Sequence, residues 1–316
     1  MRLPTEDTVD ILDVCPDVDS DAFLVADNAN RCVKAVTTSG SAALVFQCRN
    51  DSRPRALQLV RPVAGGGVAL LLVERLKVVH QVASYELVVA TRSGQRFDET
   101  RQLPLPALAK EDPYATFSMG TTSSGFVLIG NEKAKALEII DARDSSGIER
   151  LAAPLSLDFA LWHFSVGAAD GRELLAATDD STRAVRILEL KADALTGALT
   201  LRPFAHLNAG DQGHWPSQVL LFGRHVLLCM WHDSIQSDAV ECLPVSGAPL
   251  RPQVLSAEQQ VRVKCWRTAG ERVVLFDSNR KQLLSLAYAD FEILCSVLFS
   301  VSSHIPFCYE SHKFII

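Results

Sequence analysis

The sequence predicts an all-β fold, a six-bladed β-propeller with four-stranded antiparallel blades, and three observations carry that prediction. The stretch Ala22 to Val36 places an apolar run, a polar corner at Asp27 and a second apolar run in succession, and weakened copies return at Phe126 to Asp141, Glu173 to Leu190, Val226 to Val245 and Val273 to Ala289. Aligned on the corners Asp27, Asn131, Asp179, Asp233 and Asp277, the copies stand 104, 48, 54 and 44 residues apart. The first interval spans two periods, and Val68 to Val73 with Glu74 and Arg75 supplies the missing copy. A period near 50 residues falls at the upper end of the propeller-blade range and is too long for a leucine-rich repeat. Short apolar runs bounded by Asp, Asn, Ser or Gly recur throughout, with almost no helical periodicity, which points to a closed all-β array.

Each blade is then read as four strands. The propeller is expected over residues 8–299, with blades near 8–50, 55–102, 113–153, 158–206, 215–257 and 260–299 and a non-repeat tail at 300–316. In the first blade the strands are Val9 to Cys15, Phe23 to Ala26, Cys32 to Thr37 and Ala42 to Cys48, with a tight corner at Asn28-Ala29-Asn30, because Asn tolerates left-handed backbone angles. The second has Ala56 to Val60, Val68 to Val73, Tyr85 to Ala90 and Gln95 to Arg101. Its Gly65-Gly66-Gly67 is a turn: a phosphate-cradling loop needs a helix after it, and an apolar strand follows instead. The third has Tyr114 to Met119, Phe126 to Gly130, Ala136 to Asp141 and Ile148 to Ala152. There Glu132-Lys133-Ala134-Lys135-Ala136-Leu137-Glu138 consists of good helix formers, but its place in the period assigns it to a turn and strand. The fourth has Leu161 to Phe164, Leu174 to Ala177, Val185 to Leu190 and Leu201 to Ala205; the fifth, Val219 to Phe222, Val226 to Trp231, Val240 to Val245 and Val254 to Ser256. The sixth has Val261 to Trp266, Val273 to Phe276, Leu283 to Tyr288 and Phe291 to Phe299.

Composition narrows the function classes. A net charge of −6 gives no electrostatic footprint for nucleic acid or anionic lipid, both of which are bound through clustered Lys and Arg. The N-terminus has no secretory apolar core, and no apolar run approaches the roughly 18 residues needed to span a bilayer. Of eight cysteines, seven fall in or beside expected strands and none forms a C-x-x-C pair, so zinc is not indicated and buried free thiols are expected. A monomeric chain in the cytoplasm or another intracellular compartment is the resulting expectation.

Phe23-Leu24-Val25-Ala26-Asp27-Asn28-Ala29-Asn30-Arg31-Cys32-Val33 resembles the second and third strands of an NHL repeat, and Val274-Leu275-Phe276-Asp277-Ser278-Asn279-Arg280 is similar in weaker form. The resemblance implies a six-bladed propeller. Val185 to Leu201 is similar to one blade of the lactonase-like propellers.

In such a ring, the corners between second and third strands share a face with the blade-to-blade connections. A binding face is therefore expected at Arg31, Lys133, Arg183, His214, Trp215, His232, Asp233 and Arg280, suited to a protein or peptide partner because interface hot spots favour Trp and Arg. The corner carboxylates Asp27, Asp179 and Asp277 are read as caps of their own turns. No cofactor is expected on this reading. The alternative is a metal-dependent, lactonase-like hydrolase in which Asp10, Asp112, Asp158 and His214 converge on the channel mouth, hold Ca²⁺ or another divalent metal and activate a water. His163 is a further candidate for that mouth. No nucleophile elbow, G-x-G-x-x-G or H-E-x-x-H motif is present.

Overall fold

The computed structural model describes residues 10–287 apart from 18, 38–40, 50–51, 63–66, 77–81, 109–113, 145–146, 152, 194–197, 209–213, 234–235, 246–252, 256–259 and 270. Among the described residues there is no helix, and the strands form six antiparallel sheets in chain order. Blade 1 is β1 (Ile11–Pro16), β2 (Ala22–Asp27), β3 (Cys32–Thr37) and β4 (Ala42–Gln47); blade 2 is β5 (Arg53–Val60), β6 (Ala69–Arg75), β7 (Tyr85–Ser93) and β8 (Arg96–Pro104). Blade 3 is β9 (Phe117–Thr121), β10 (Phe126–Asn131), β11 (Ala136–Asp141), and an outer edge split into β12 (Glu149–Arg150) and β13 (Leu155–Ser156), both paired with β11. Blade 4 is β14 (Leu161–Ala169), β15 (Arg172–Asp179), β16 (Ala184–Ala192) and β17 (Leu199–Asn208); blade 5 is β18 (His214–Phe222), β19 (His225–His232), β20 (Ser237–Pro244) and β21 (Gln253–Leu255). Blade 6 shows β22 (Val263–Ala269), β23 (Arg272–Asp277) and β24 (Gln282–Ala287). The fourth strand expected at Phe291 to Phe299 and the tail lie outside the described residues, as do Gly65 and Gly66.

The inner strands contact one another around the ring in the order β1, β5, β9, β14, β18, β22 and back to β1. Between each neighbouring pair of blades lies one apolar cluster, six in all, so the core is a set of wedges rather than a single ball. This explains why second strands such as Ala69-Leu70-Leu71-Leu72-Val73 are apolar throughout instead of alternating: both faces pack against a neighbouring blade. Cys15 and Cys48 sit between blades 1 and 2, Cys229 and Cys242 between blades 5 and 6, and Cys265 between blades 6 and 1, none of them in a disulfide. Burial pushes the Cys15 thiol up to about 11, which leaves it protonated and inert.

The ring closes where the first and last blades meet. Ile11, Val14, Val25 and Val36 pack against Val274, Phe276 and Leu283. Within the same joint Arg267 of β22 donates to the Asp13 carboxylate of β1 at 2.8 Å, a contact across 254 residues of chain. The segment 132–138 is a turn followed by strand β11, as the repeat predicts; cross-strand pairing to β10 overrides the helix-forming side chains. Strand β14 runs on to Ala169 and β18 begins at His214, each well beyond the expected ends. Gly167-Ala168-Ala169 and His214-Trp215-Pro216 break the apolar pattern, but their partners on β15 and β19 continue the pairing.

Strand register also defines the corner position. Opposite the inner-strand residue just before the pairing shifts register, and opposite Phe117 in blade 3, whose pairing does not shift, stand Asp27, Glu74, Asn131, Asp179, Met230 and Asp277. All six are buried, none more than 2% exposed. The expected alignment is thus corrected in blade 5, where Met230 holds the position and Asp233 stands exposed in the turn three residues on.

Candidate functional site: the channel mouth and its rim

The corner carboxylates are turn chemistry. Asp27 accepts from the backbone and side chain of Asn30 and pairs with Lys34 at 2.9 Å. Burial works to raise the Asp179 carboxyl, but hydrogen bonds from Ser181 and Arg186 outweigh it and hold the group at about 2. Asp277 accepts from Arg262 N, Asn279 N and Arg280. The turns close on residues with left-handed backbone, at Arg31 (φ 54°), Lys133 (φ 68°), Arg183 (φ 54°), Gln236 (φ 51°) and Lys281 (φ 52°). Thus the Asp-to-Arg phrase behind the NHL resemblance is a turn-building device.

These turns and the starts of the inner strands share one end of the ring, tied by backbone bonds from Asn28 to Asp10, Glu132 to Thr116, Asp180 to Ala160 and Ser278 to Arg262. Near that end the pairing of five inner strands slips by one residue, inserting Leu12, Arg55, Trp162, Ser217 and Lys264, while β9 runs without a slip. A bulge bends its strand and re-aims the neighbouring side chains. Here the result is a cavity of about 200 Å³ to which every blade contributes, through Asp13, Arg55, Thr116, His163, Gln218 and Lys264.

The buried groups around it are held by contacts between blades. Asp13 accepts from Val14 N (2.9 Å), from Leu57 N of blade 2 (3.0 Å) and from Arg267 of blade 6. Burial raises its carboxyl above the ordinary range, an effect Arg267 and the two amides only partly offset. Arg55 donates to Ala115 O of blade 3 at 2.6 Å and lies over the Phe117 ring at 5.8 Å. His163 Nδ1 accepts from Val219 N of blade 5 at 3.3 Å; burial, helped by the charge of Arg267, lowers this imidazole to about 3, so it is neutral. Gln218 donates through Nε2 to Val263 O and Lys264 O. Around this cavity four buried side-chain atoms lack a partner among the described residues: Asn28 Oδ1, Gln218 Oε1, Trp266 Nε1 and Arg267 Nε.

The rim carries two cation–aromatic pairs. Arg183 of blade 4 lies 5.0 Å over Trp215, and Arg262 of blade 6 lies 5.3 Å over Trp231. Trp215 is the register partner of Trp231 across β18 and β19, and the backbone of His214 pairs with that of His232. Asp233 accepts from Trp231 Nε1 at 2.8 Å. Of the expected binding face, Arg183, Trp215, His232 and Asp233 therefore gather around blade 5, whereas Arg31, Lys133 and Arg280 lie on the turns of blades 1, 3 and 6.

Of the expected metal set, only Asp10 and Asp158 have described side chains. Asp10 lines the cavity and accepts from Asn28 Nδ2 at 2.7 Å, but Asp158 is 81% exposed, does not line it and pairs with Arg186 at 3.3 Å. Asp112 and the side chain of His214 lie outside the described residues, among which no three His, Cys, Asp or Glu are placed to hold a metal ion. Sequence reasoning missed Asp13, Arg55, Gln218, Lys264 and Arg267. One signal was available: a lone polar residue within an apolar inner strand, as in Ile-Leu-Asp-Val-Cys or Gln-Val-Leu-Leu-Phe.

No protein-family model matches this chain, and no curated protein sequence matches it. Solved structures do. The periplasmic gluconolactonase of Pseudomonas aeruginosa superposes with a TM-score of 0.59 at 12% identity, over 89% of this chain and 82% of that one. A glucose dehydrogenase superposes at 0.58 and 8% identity, over 89% and 99%. A protein from Lactobacillus plantarum superposes at 0.57 and 11% identity, over 88% and 80%. At these identities the likeness is one of fold, and it agrees with the strand pairing in making this chain a six-bladed β-propeller.

Proposed function

We propose that the protein is a non-enzymatic binding propeller that presents the face around its channel mouth to a protein or peptide partner. The observation that carries this reading is the pair of stacked arginines and tryptophans, Arg183 on Trp215 and Arg262 on Trp231, supplied by three consecutive blades. Trp and Arg dominate binding hot spots, and stacking restrains them before a partner arrives, which lowers the ordering cost of association. A nucleic-acid partner has less support, since Arg280, Arg186 and Lys34 are each paired with a corner carboxylate. A metal-dependent hydrolase also has less support. Asp13 is engaged by three donors, Asp10 by Asn28, and Asp158 lies away from the cavity.

The test is selection of a displayed random-peptide library on the immobilised protein. Peptides that bind wild type and lose about tenfold or more in affinity on Trp215→Ala or Trp231→Ala are the expected result, in line with typical hot-spot losses. Peptides bound equally well by both variants, or no enrichment at all, would refute the reading.

A further inference from the structure

We infer that the binding face continues across the channel mouth to Tyr114 and takes an extended peptide segment anchored on both sides of the opening. The inference rests on the reading proposed above and names the form its partner takes. Among the described residues four large apolar side chains stand exposed, Leu44, Val82, Tyr114 and Phe204. Leu44 and Phe204 belong to the outer strands β4 and β17, away from the axis. Val82 lies in the connection from β6 to β7 and Tyr114 just ahead of inner strand β9, so both belong to the mouth end. Tyr114 is the most exposed of the four, at 79%, and lines the cavity.

Exposed apolar residues scattered singly need no explanation. The setting of Tyr114 sets it apart. Arg75, at the end of β6 in blade 2, lies over its ring at 5.6 Å, much as Arg183 lies over Trp215 and Arg262 over Trp231. Each pair joins two neighbouring blades: 2 and 3, 4 and 5, 6 and 5. A stacked guanidinium restrains the ring beneath it, so a partner has less ordering left to impose. Aromatic anchors therefore stand on two sides of the mouth, Tyr114 at blade 3 and the tryptophans at blade 5, with blade 4 between them. That separation selects the shape of the occupant. Packed sheets stand about 10 Å apart, so two steps around the ring put the anchors roughly 20 Å apart at most, a span that about four to six extended residues bridge at about 3.3 Å each. A helix laid flat over the opening would need about thirteen residues at 1.5 Å each. The extended segment orders the fewest residues and so carries the smallest conformational cost.

The test is a displayed library of random twelve-residue peptides selected on the immobilised protein, with the enriched peptides synthesised and scanned with alanine. Two sensitive positions about four to six residues apart are expected, each losing about tenfold or more in affinity when truncated. In double-mutant cycles one position should couple to Tyr114→Ala and the other to Trp215→Ala. Tyr114→Phe keeps the ring and should keep the binding. Phe204→Ala is the control, because Phe204 also lies under an arginine, Arg172 at 5.3 Å, but on an outer strand; it should change nothing. Peptides that lose affinity on Trp215→Ala and not on Tyr114→Ala overturn this inference and leave the reading it rests on intact. Sensitive positions that are adjacent, or that couple to the same protein residue, overturn it as well, and so does an equal loss on Phe204→Ala. A library that yields no enriched peptide overturns both.

Discussion

Removing the Asp13 carboxylate should loosen the ring at its closure and is the sharpest test of how this fold holds together. Asp13 and Arg267 expose only 3% and 13% of their side chains, and the carboxylate serves blades 1, 2 and 6 at once through Val14 N, Leu57 N and Arg267. Asp13→Ala therefore leaves a buried guanidinium without its counter-ion and two strand amides without this acceptor. Breaking a buried pair from one side costs about 3–5 kcal/mol, and two orphaned amides at about 1–3 kcal/mol each reach the same range. Asp13→Asn keeps one acceptor oxygen and should lose less. The assay is urea unfolding followed by tryptophan fluorescence, run as a double-mutant cycle with Arg267→Met. Loss of both partners should cost clearly less than the two single losses combined, because the double variant strands no charge. Arg224→Ala, at the exposed pair with Asp170, should produce no measurable change and serves as the control. A loss below about 1 kcal/mol for Asp13→Ala, or additive single effects, would refute the claim that this contact locks the first blade to the last.

Three further outcomes follow from the same contacts. Asp238 is buried and its carboxyl stands raised to about 6, burial being the chief cause; its native form binds a proton more tightly than the unfolded chain does, so stability present below pH 4 is lost as pH rises through 6. Asp238→Asn should remove that loss, about 2–3 kcal/mol between pH 4 and pH 7, which denaturant melts across that window will read. His163 has the opposite sign: with its native value near 3, the unfolded chain takes up the proton first, and about 2 kcal/mol should be lost between pH 7 and pH 5. His163→Asn, which keeps an acceptor for Val219 N, should flatten that slope, and an unchanged slope would count against a buried neutral imidazole. Gly130→Ala would place a methyl 2.6 Å from Leu137 Cδ2 and 2.8 Å from Leu161 Cδ2, so a loss of about 1–3 kcal/mol is expected in thermal melts, and a neutral result would mean that the joint between blades 3 and 4 can yield.

Strands and blade count were legible in the chain because both are local properties repeated at a near-constant interval. A run such as Val226 to Trp231 or Val273 to Phe276 declares itself buried by its own composition, and five corners at similar spacing imply a sixth. The candidate site was only half legible. Trp215, His232 and Asp233 stand near one another in sequence and end near one another in space, as consecutive strands of one blade must.

The amino-acid sequence by itself determined that six sheets would form and roughly where each strand lies, because an apolar run flanked by turn residues reports its burial without reference to any distant partner. Only the tertiary structure decided that Met230 rather than Asp233 holds the corner of blade 5, that five inner strands slip by one residue, and that Asp13, Arg55, Gln218 and Arg267 meet at one cavity. Those outcomes depend on how blades far apart in the chain press their inner strands together. A strand's own alternation of side chains carries no record of the neighbour it will meet 254 residues away.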